Sequence, residues 1–140
     1  MNVAIIGAGL IGKKRALALP KGMKLKVICD VDQARADVLA KEFSCHALYS
    51  LDEVLKDKTI EALFICTPNK FAALAASKAI LAGKHVLIEK PGARSLDDFK
   101  LIHKAYTKKK VVVMFGYNHR FHSAMMQAKK IVDSKKYGPV

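Results

Sequence analysis

Short apolar runs alternate with longer amphipathic stretches along the chain. The runs are Val3-Ala4-Ile5-Ile6, Leu25-Lys26-Val27-Ile28-Cys29, Ala62-Leu63-Phe64-Ile65-Cys66, His85-Val86-Leu87-Ile88 and Val111-Val112-Val113-Met114-Phe115. Each is nearly continuous, the pattern of a strand buried on both faces, and such strands make parallel sheets. A shorter run, Ala47-Leu48-Tyr49, predicts a minor sixth strand. The intervening stretches carry helix spacing and helix punctuation. Residues 10–19 predict a helix stopped by Pro20 and Gly22. Asp32 is placed to cap a second helix through Ala34, Val38, Leu39 and Phe43. Ser50 and Glu53 have capping-box spacing. Residues 72–82 are rich in alanine and end at Gly83, a good helix stop. Ser95 is placed to cap residues 96–108, and a last helix is predicted over residues 124–133, before Gly138-Pro139. Strands alternating with helices over short connections predict one doubly wound α/β domain over residues 1–140.

Composition narrows the class. The 140 residues are 51% hydrophobic and 26% charged, which excludes a disordered tail or a collagen-like fibre. A chain of this length buries roughly 68% of its unfolded surface, enough for a core without staples. The apolar runs are too short to cross a bilayer. Residues 2–9 read as strand and turn rather than as a secretory leader. Cys29, Cys45 and Cys66 are odd in number and lack metal-ligand spacing, which points to a reducing, cytoplasmic setting.

Lysine and arginine total 25 against 12 acidic residues, a formal net charge of +13. Such a chain attracts polyanions. The basic residues fall in short clusters (Lys13-Lys14-Arg15, Lys108-Lys109-Lys110, Lys129-Lys130, Lys135-Lys136) that read best as solvated helix faces and helix ends. No basic strand interleaved with aromatics is present, which argues against nucleic acid as a partner.

Gly7-Ala8-Gly9-Leu10-Ile11-Gly12 is a G-x-G-x-x-G sequence that follows the first strand and opens the first helix. In that setting Gly7 permits a tight turn, Gly9 lets backbone approach a pyrophosphate, and Gly12 lets helix and strand pack closely. The amides of Leu10 and Ile11 then face the phosphates, aided by the helix N-terminus. Asp30 ends the second strand about 20 residues on, where a carboxylate accepts from adenosine ribose hydroxyls. Its charge repels a 2′-phosphate and no arginine follows at once, so the reading is NAD, with NADP as the alternative. The other reading makes Asp30 a strand-end cap, a role for which Asp32 is better placed.

Ligands of open α/β sheets bind beyond the carboxyl ends of strands. Thr67-Pro68-Asn69 after Cys66 and Glu89-Lys90-Pro91-Gly92 after Ile88 both stand there. Lys90 reads equally as a surface lysine in a turn and as an ammonium that hydrogen-bonds a substrate hydroxyl and relays its proton. Asn118 and Arg120 follow the last strand and can face the same edge. His119 and His122 have the spacing of a metal pair, but no acidic or cysteine partner lies nearby, and no metal is expected. Cys29 and Cys66 read as small core residues rather than nucleophiles.

Together these motifs make the chain resemble the N-terminal domain of the glucose–fructose oxidoreductase / inositol dehydrogenase (Gfo/Idh/MocA) family. The resemblance runs through the glycine motif, Cys29-Asp30, Thr67-Pro68-Asn69, Ala82-Gly83-Lys84-His85-Val86, Glu89-Lys90-Pro91 and Asn118-x-Arg120-Phe121. It implies a Rossmann-type fold and NAD(P)-dependent oxidation or reduction of a sugar, cyclitol or related hydroxyl compound. It further implies that Lys90 lies beside nicotinamide and substrate, and is the catalytic residue of this chain. Cys66, Thr67, Pro68, Asn69 and Glu89 become cofactor contacts, with Asn118 and Arg120 close by. The bond before Pro91 is expected to be cis. Ala72 stands where the family usually has histidine, and Ser123 where proline often follows.

The family's second, substrate-binding domain is absent from these residues, so the chain alone is expected to bind cofactor without efficient turnover. The alternative is a stand-alone dinucleotide-binding sensor or partner subunit. The surface that would meet a second domain, around Phe121 and the last helix, is expected to be exposed, partly apolar and prone to self-association.

Overall fold

The computed structural model describes residues 1–138. Pro139 of the expected Gly138-Pro139 break lies outside them. Six parallel strands form one sheet in the order β3-β2-β1-β4-β5-β6. They are β1 (Asn2–Ile6), β2 (Lys24–Cys29), β3 (His46–Leu48), β4 (Ala62–Ile65), β5 (His85–Ile88) and β6 (Val113–Phe115). The order reverses direction at β1, which places a crevice between β1 and β4 at their carboxyl ends. Register brings the strand ends level. Ile6 pairs with both Cys29 and Ile65, Ile65 with Ile88, and Ile88 with Phe115. The residues that follow, Gly7, Asp30, Cys66, Glu89 and Gly116, therefore stand along one edge.

The faces are covered unequally. α1 (Leu10–Leu17) and α2 (Gln33–Glu42) pack on Ile5 and Ile28 through Ala16, Leu39 and Ala40. α3 (Leu51–Lys56), α4 (Asn69–Leu81) and α5 (Leu96–Tyr106) cover the other face, over Ala4, Ile6, Leu63, Ile65, Val86 and Ile88. The alanines of α4 keep it close to the sheet; Ala72, Ala73, Ala75, Ala76 and Ala79 are all buried. After β6 come a 3₁₀ turn (Asn118–Phe121) and α6 (Ser123–Asp133), neither of which buries a residue. The α1 side of β4–β6 thus carries no helix. It forms an apolar groove of about 390 Å³ lined by Phe64, Leu87, Met114 and Phe121.

Most predicted elements and caps are present. Asp32 accepts from the Arg35 N–H, and Ser95 from the Asp98 N–H. Besides shifts of one or two residues at other element ends, four local details differ. α1 stops at Leu17, because Leu19 precedes Pro20 and is kept out of the helical region. α4 begins at Asn69, three residues early, with Pro68 as its N-cap. The capping box does not close: the Ser50 hydroxyl accepts from the Asp52 N–H at 3.3 Å, not from Glu53. β6 starts at Val113, because the Val112 N–H donates to His85 Nδ1 at 2.9 Å.

Lys84 is a buried polar residue, 7% exposed. Its ammonium donates to the carbonyls of Asp57 and Ile60, each at 2.8 Å. It fastens the start of β5 to the loop before β4, at the edge opposite the strand carboxyl ends. Among the described residues no helix is long and apolar enough to cross a membrane.

Candidate functional site

The glycine turn is held by close backbone approach. Gly7 has φ +107°, and a Cβ there would lie 2.7 Å from the Cys66 carbonyl oxygen. A Cβ on Gly12 would run into the Gly7 carbonyl. At Gly9 the space is open. Gly9 is the N-cap of α1, which has no side-chain cap and no acidic residue in its first turn. The first amides, those of Leu10 and Ile11, are therefore left without a side-chain cap at the helix start, an anion-attracting position.

Asp30 lies beside this turn. Its Oδ2 accepts from the Ala8 N–H at 2.7 Å and its Oδ1 from the Asp32 N–H at 3.0 Å. The carboxylate thus ties the glycine turn to the β2–α2 connection. A carboxylate has about four acceptor positions, so both oxygens keep capacity for a ligand hydroxyl. Cys66 and Thr67 follow β4. Burial, then the nearby Glu89 charge, push the Cys66 thiol up to about 12. Burial, then the Asp30 and Glu53 charges, do the same to Cys29. Neither is a nucleophile at neutral pH. The Thr67 hydroxyl is buried without a hydrogen-bond partner. Pro68 and Asn69, both exposed, open α4, another helix start without a side-chain cap.

Beyond β5 the site changes character. The Glu89 carboxylate is gripped by the Arg15 guanidinium, and Arg15 Nη2 also donates to Asn118 Oδ1 at 3.1 Å. The Lys90 N–H donates to Glu89 Oε2 at 3.3 Å. The Lys90–Pro91 bond is cis, and the Tyr117 hydroxyl donates to the Pro91 carbonyl at 2.9 Å. Lys90, Asn118 and Arg120 are exposed and line one cleft of about 690 Å³. Ala8, Gly9 and Leu10 line a second hollow, of about 620 Å³, between α1 and α2. The sequence-predicted residues thus share one sheet edge; Ala8, Gly9 and Leu10 line one hollow, Ile11, Glu89, Lys90, Asn118 and Arg120 the other, and Gly7, Gly12, Asp30, Cys66, Thr67, Pro68 and Asn69 line neither. Among the described residues no three His, Cys, Asp or Glu side chains gather as metal ligands.

Arg15 is the group the sequence reading missed. Within Lys13-Lys14-Arg15 it reads as part of a solvated face, yet its side chain is only 18% exposed. The signal was its helical position: Ile11, Arg15 and Ala18 share one stripe of α1, and all three line the Lys90 cleft.

Residues 1–117 match the model of an oxidoreductase family with an NAD-binding Rossmann fold, GFO_IDH_MocA. The chain belongs to this family. Among its relatives is the 1-carboxy-3-chloro-3,4-dihydroxycyclohexa-1,5-diene dehydrogenase of Comamonas testosteroni, 30% identical, aligned over 100% of this chain and 36% of its own length. The inositol 2-dehydrogenase of Rhizobium meliloti is 29% identical, over 100% of this chain and 43% of its own. The chain spans about two fifths of the length of these curated relatives. Among solved structures, GenD2 from gentamicin A biosynthesis, in complex with NAD, superposes with a TM-score of 0.92 at 27% identity, over 97% of this chain and 40% of that one.

NAD is the family's dinucleotide, and the site fits it. The α1 start lacks an acidic residue of its own, Gly9 leaves room for backbone contact, Asp30 keeps acceptor capacity, and the Thr67 hydroxyl just after β4 is buried without a partner.

Proposed function

We propose that this chain is the cofactor-binding unit of a dehydrogenase acting on a hydroxyl group of a sugar or cyclitol. The carrying observation is the meeting, on one sheet edge, of an uncapped glycine-turn helix and the Lys90 cleft. Gly7, Ala8, Gly9, Leu10, Ile11 and Gly12 would hold the pyrophosphate on backbone amides. Asp30 would take the adenosine ribose hydroxyls, and its charge disfavours a 2′-phosphate. Cys66, through its backbone, with Thr67, Pro68 and Asn69, would line the middle of the crevice. Glu89, Asn118 and Arg120 would border the nicotinamide end. When bound, the nicotinamide supplies a site that takes up or releases hydride.

Lys90 is the proposed catalytic residue. An ammonium beside the reacting hydroxyl donates a hydrogen bond, favours the alkoxide and passes a proton. Arg15 and Glu89 set the turn that presents it. Among the described residues no carboxylate or imidazole is hydrogen-bonded to the Lys90 amine to act as its proton partner. We therefore propose that the 140-residue chain binds cofactor without efficient turnover. Titration with NADH and NADPH, read by nicotinamide fluorescence at two salt concentrations, tests this. Saturable binding, tighter for NADH and weakened about tenfold by Asp30→Ala, is expected, one charge-assisted hydrogen-bond site being lost. Absence of saturable binding by either nucleotide overturns the reading.

A further inference from the structure

The Lys90 cleft holds more positive charge than a neutral polyol calls for. It brings together Lys14 of α1, Lys90 after β5, and His119 and Arg120 of the 3₁₀ turn. Its one carboxylate, Glu89, is already engaged by Arg15. Once that pair cancels, Lys14, Lys90 and Arg120 are left as a threefold positive surplus. None of the three makes an ion pair among the described residues. Concave low-dielectric walls focus such a field more strongly than an open helix face does.

The cofactor does not account for this charge. Its pyrophosphate belongs at the glycine turn, where Ala8, Gly9 and Leu10 line the other hollow and only Ile11 reaches this cleft. The oxidised nicotinamide ring is itself positive and adds to the surplus. Arg120 is suited to an anion: its guanidinium lies 5.5 Å from the Phe121 ring centroid, which limits its freedom. A guanidinium fork matches carboxylate and phosphate alike.

We propose that the substrate bears an anionic group, a carboxylate or a phosphate, held by Arg120 and Lys14 while its reacting hydroxyl lies at Lys90. This rests on the dehydrogenase reading and narrows its substrate class from polyols in general to acidic or phosphorylated ones.

The test is an amide-NMR titration of the full chain with glucuronate, glucose 6-phosphate and glucose, each with and without saturating NADH. At least one acidic sugar is expected to bind about tenfold more tightly than glucose, one charge-assisted pair being worth about that factor. Its shifts should centre on Lys14 and residues 116–120. The preferred sugar tells carboxylate from phosphate. Arg120→Gln and Lys14→Gln should each remove most of the preference, read in each variant as the ratio of anion to glucose affinity. Glucose binding as tightly as both anions, anion affinity insensitive to both substitutions, or shifts spread over the whole basic surface would each overturn the proposal. Failure of NADH to bind, with the anion preference intact, sinks the dehydrogenase reading instead. NADH binding without that preference sinks this one alone.

Discussion

Arg15 and Glu89, 74 residues apart, form a largely buried ion pair that joins the glycine-motif helix to the turn carrying Lys90. Their side chains are 18% and 14% exposed. Arg15 also reaches Asn118, so α1, the end of β5 and the segment after β6 meet in one guanidinium.

Removing the guanidinium leaves a mostly buried carboxylate unpaired. Arg15→Met is expected to cost about 2 kcal/mol in urea unfolding and to weaken NADH binding. Adding Glu89→Gln to Arg15→Met should recover part of the stability. A double variant no more stable than the single would show that the charge pair is not what holds this corner.

The thiols give a pH dependence of known sign. Cys29 and Cys66 titrate near 12 in the folded chain, against about 9 when free. The folded state therefore keeps its thiol protons where the unfolded state loses them. That contribution to stability is complete below about pH 9 and is lost as pH rises toward 12. Disulfide-exchange kinetics at pH 8 should show both thiols reacting far more slowly in the native chain than in urea. Native rates equal to the unfolded ones would contradict this.

Lys84 satisfies two carbonyls from inside the protein. Lys84→Met keeps the apolar stem and leaves the Asp57 and Ile60 carbonyls without their donor. The expected loss is about 2–3 kcal/mol, with cofactor binding unchanged because the strap lies at the far edge of the sheet. Thermal unfolding beside an NADH titration checks both halves.

The uncovered face of β4–β6 and the exposed Met125, Ile131 and Val132 of α6 offer apolar surface without a partner. Reversible self-association is proposed there. The +13 charge opposes it, and salt screens that repulsion. Sedimentation should therefore show association rising with ionic strength. A monomer at high concentration, unmoved by salt, would count against it.

The fold was legible because its central strands are buried on both faces, so runs such as Val3-Ala4-Ile5-Ile6 carry an unambiguous parallel-sheet pattern. The glycine turn was legible because each glycine meets a distinct steric demand at a fixed spacing. Arg15 was not, since its partner is remote in sequence and its neighbours are ordinary surface lysines. The start of β6 was not, because the competitor for the Val112 amide is a side chain on another strand. The closure of the Ser50 box failed for a smaller reason: an N-cap hydroxyl accepts from either the second or the third amide of its helix, and spacing alone does not choose the Asp52 amide that Ser50 takes.

α1 has one further consequence. In the proposed cofactor site its first turn would offer amides to the phosphates, and Arg15 follows five residues after Leu10, about 7.5 Å along the axis at 1.5 Å per residue. No loop intervenes between the two. The helix is a short stiff rod gripping at both ends, so any shift of its first turn toward an anion is handed directly to Glu89 and Asn118. On the proposed reading, cofactor occupancy and the posture of the Lys90 turn would become a single mechanical variable, transmitted through one piece of secondary structure.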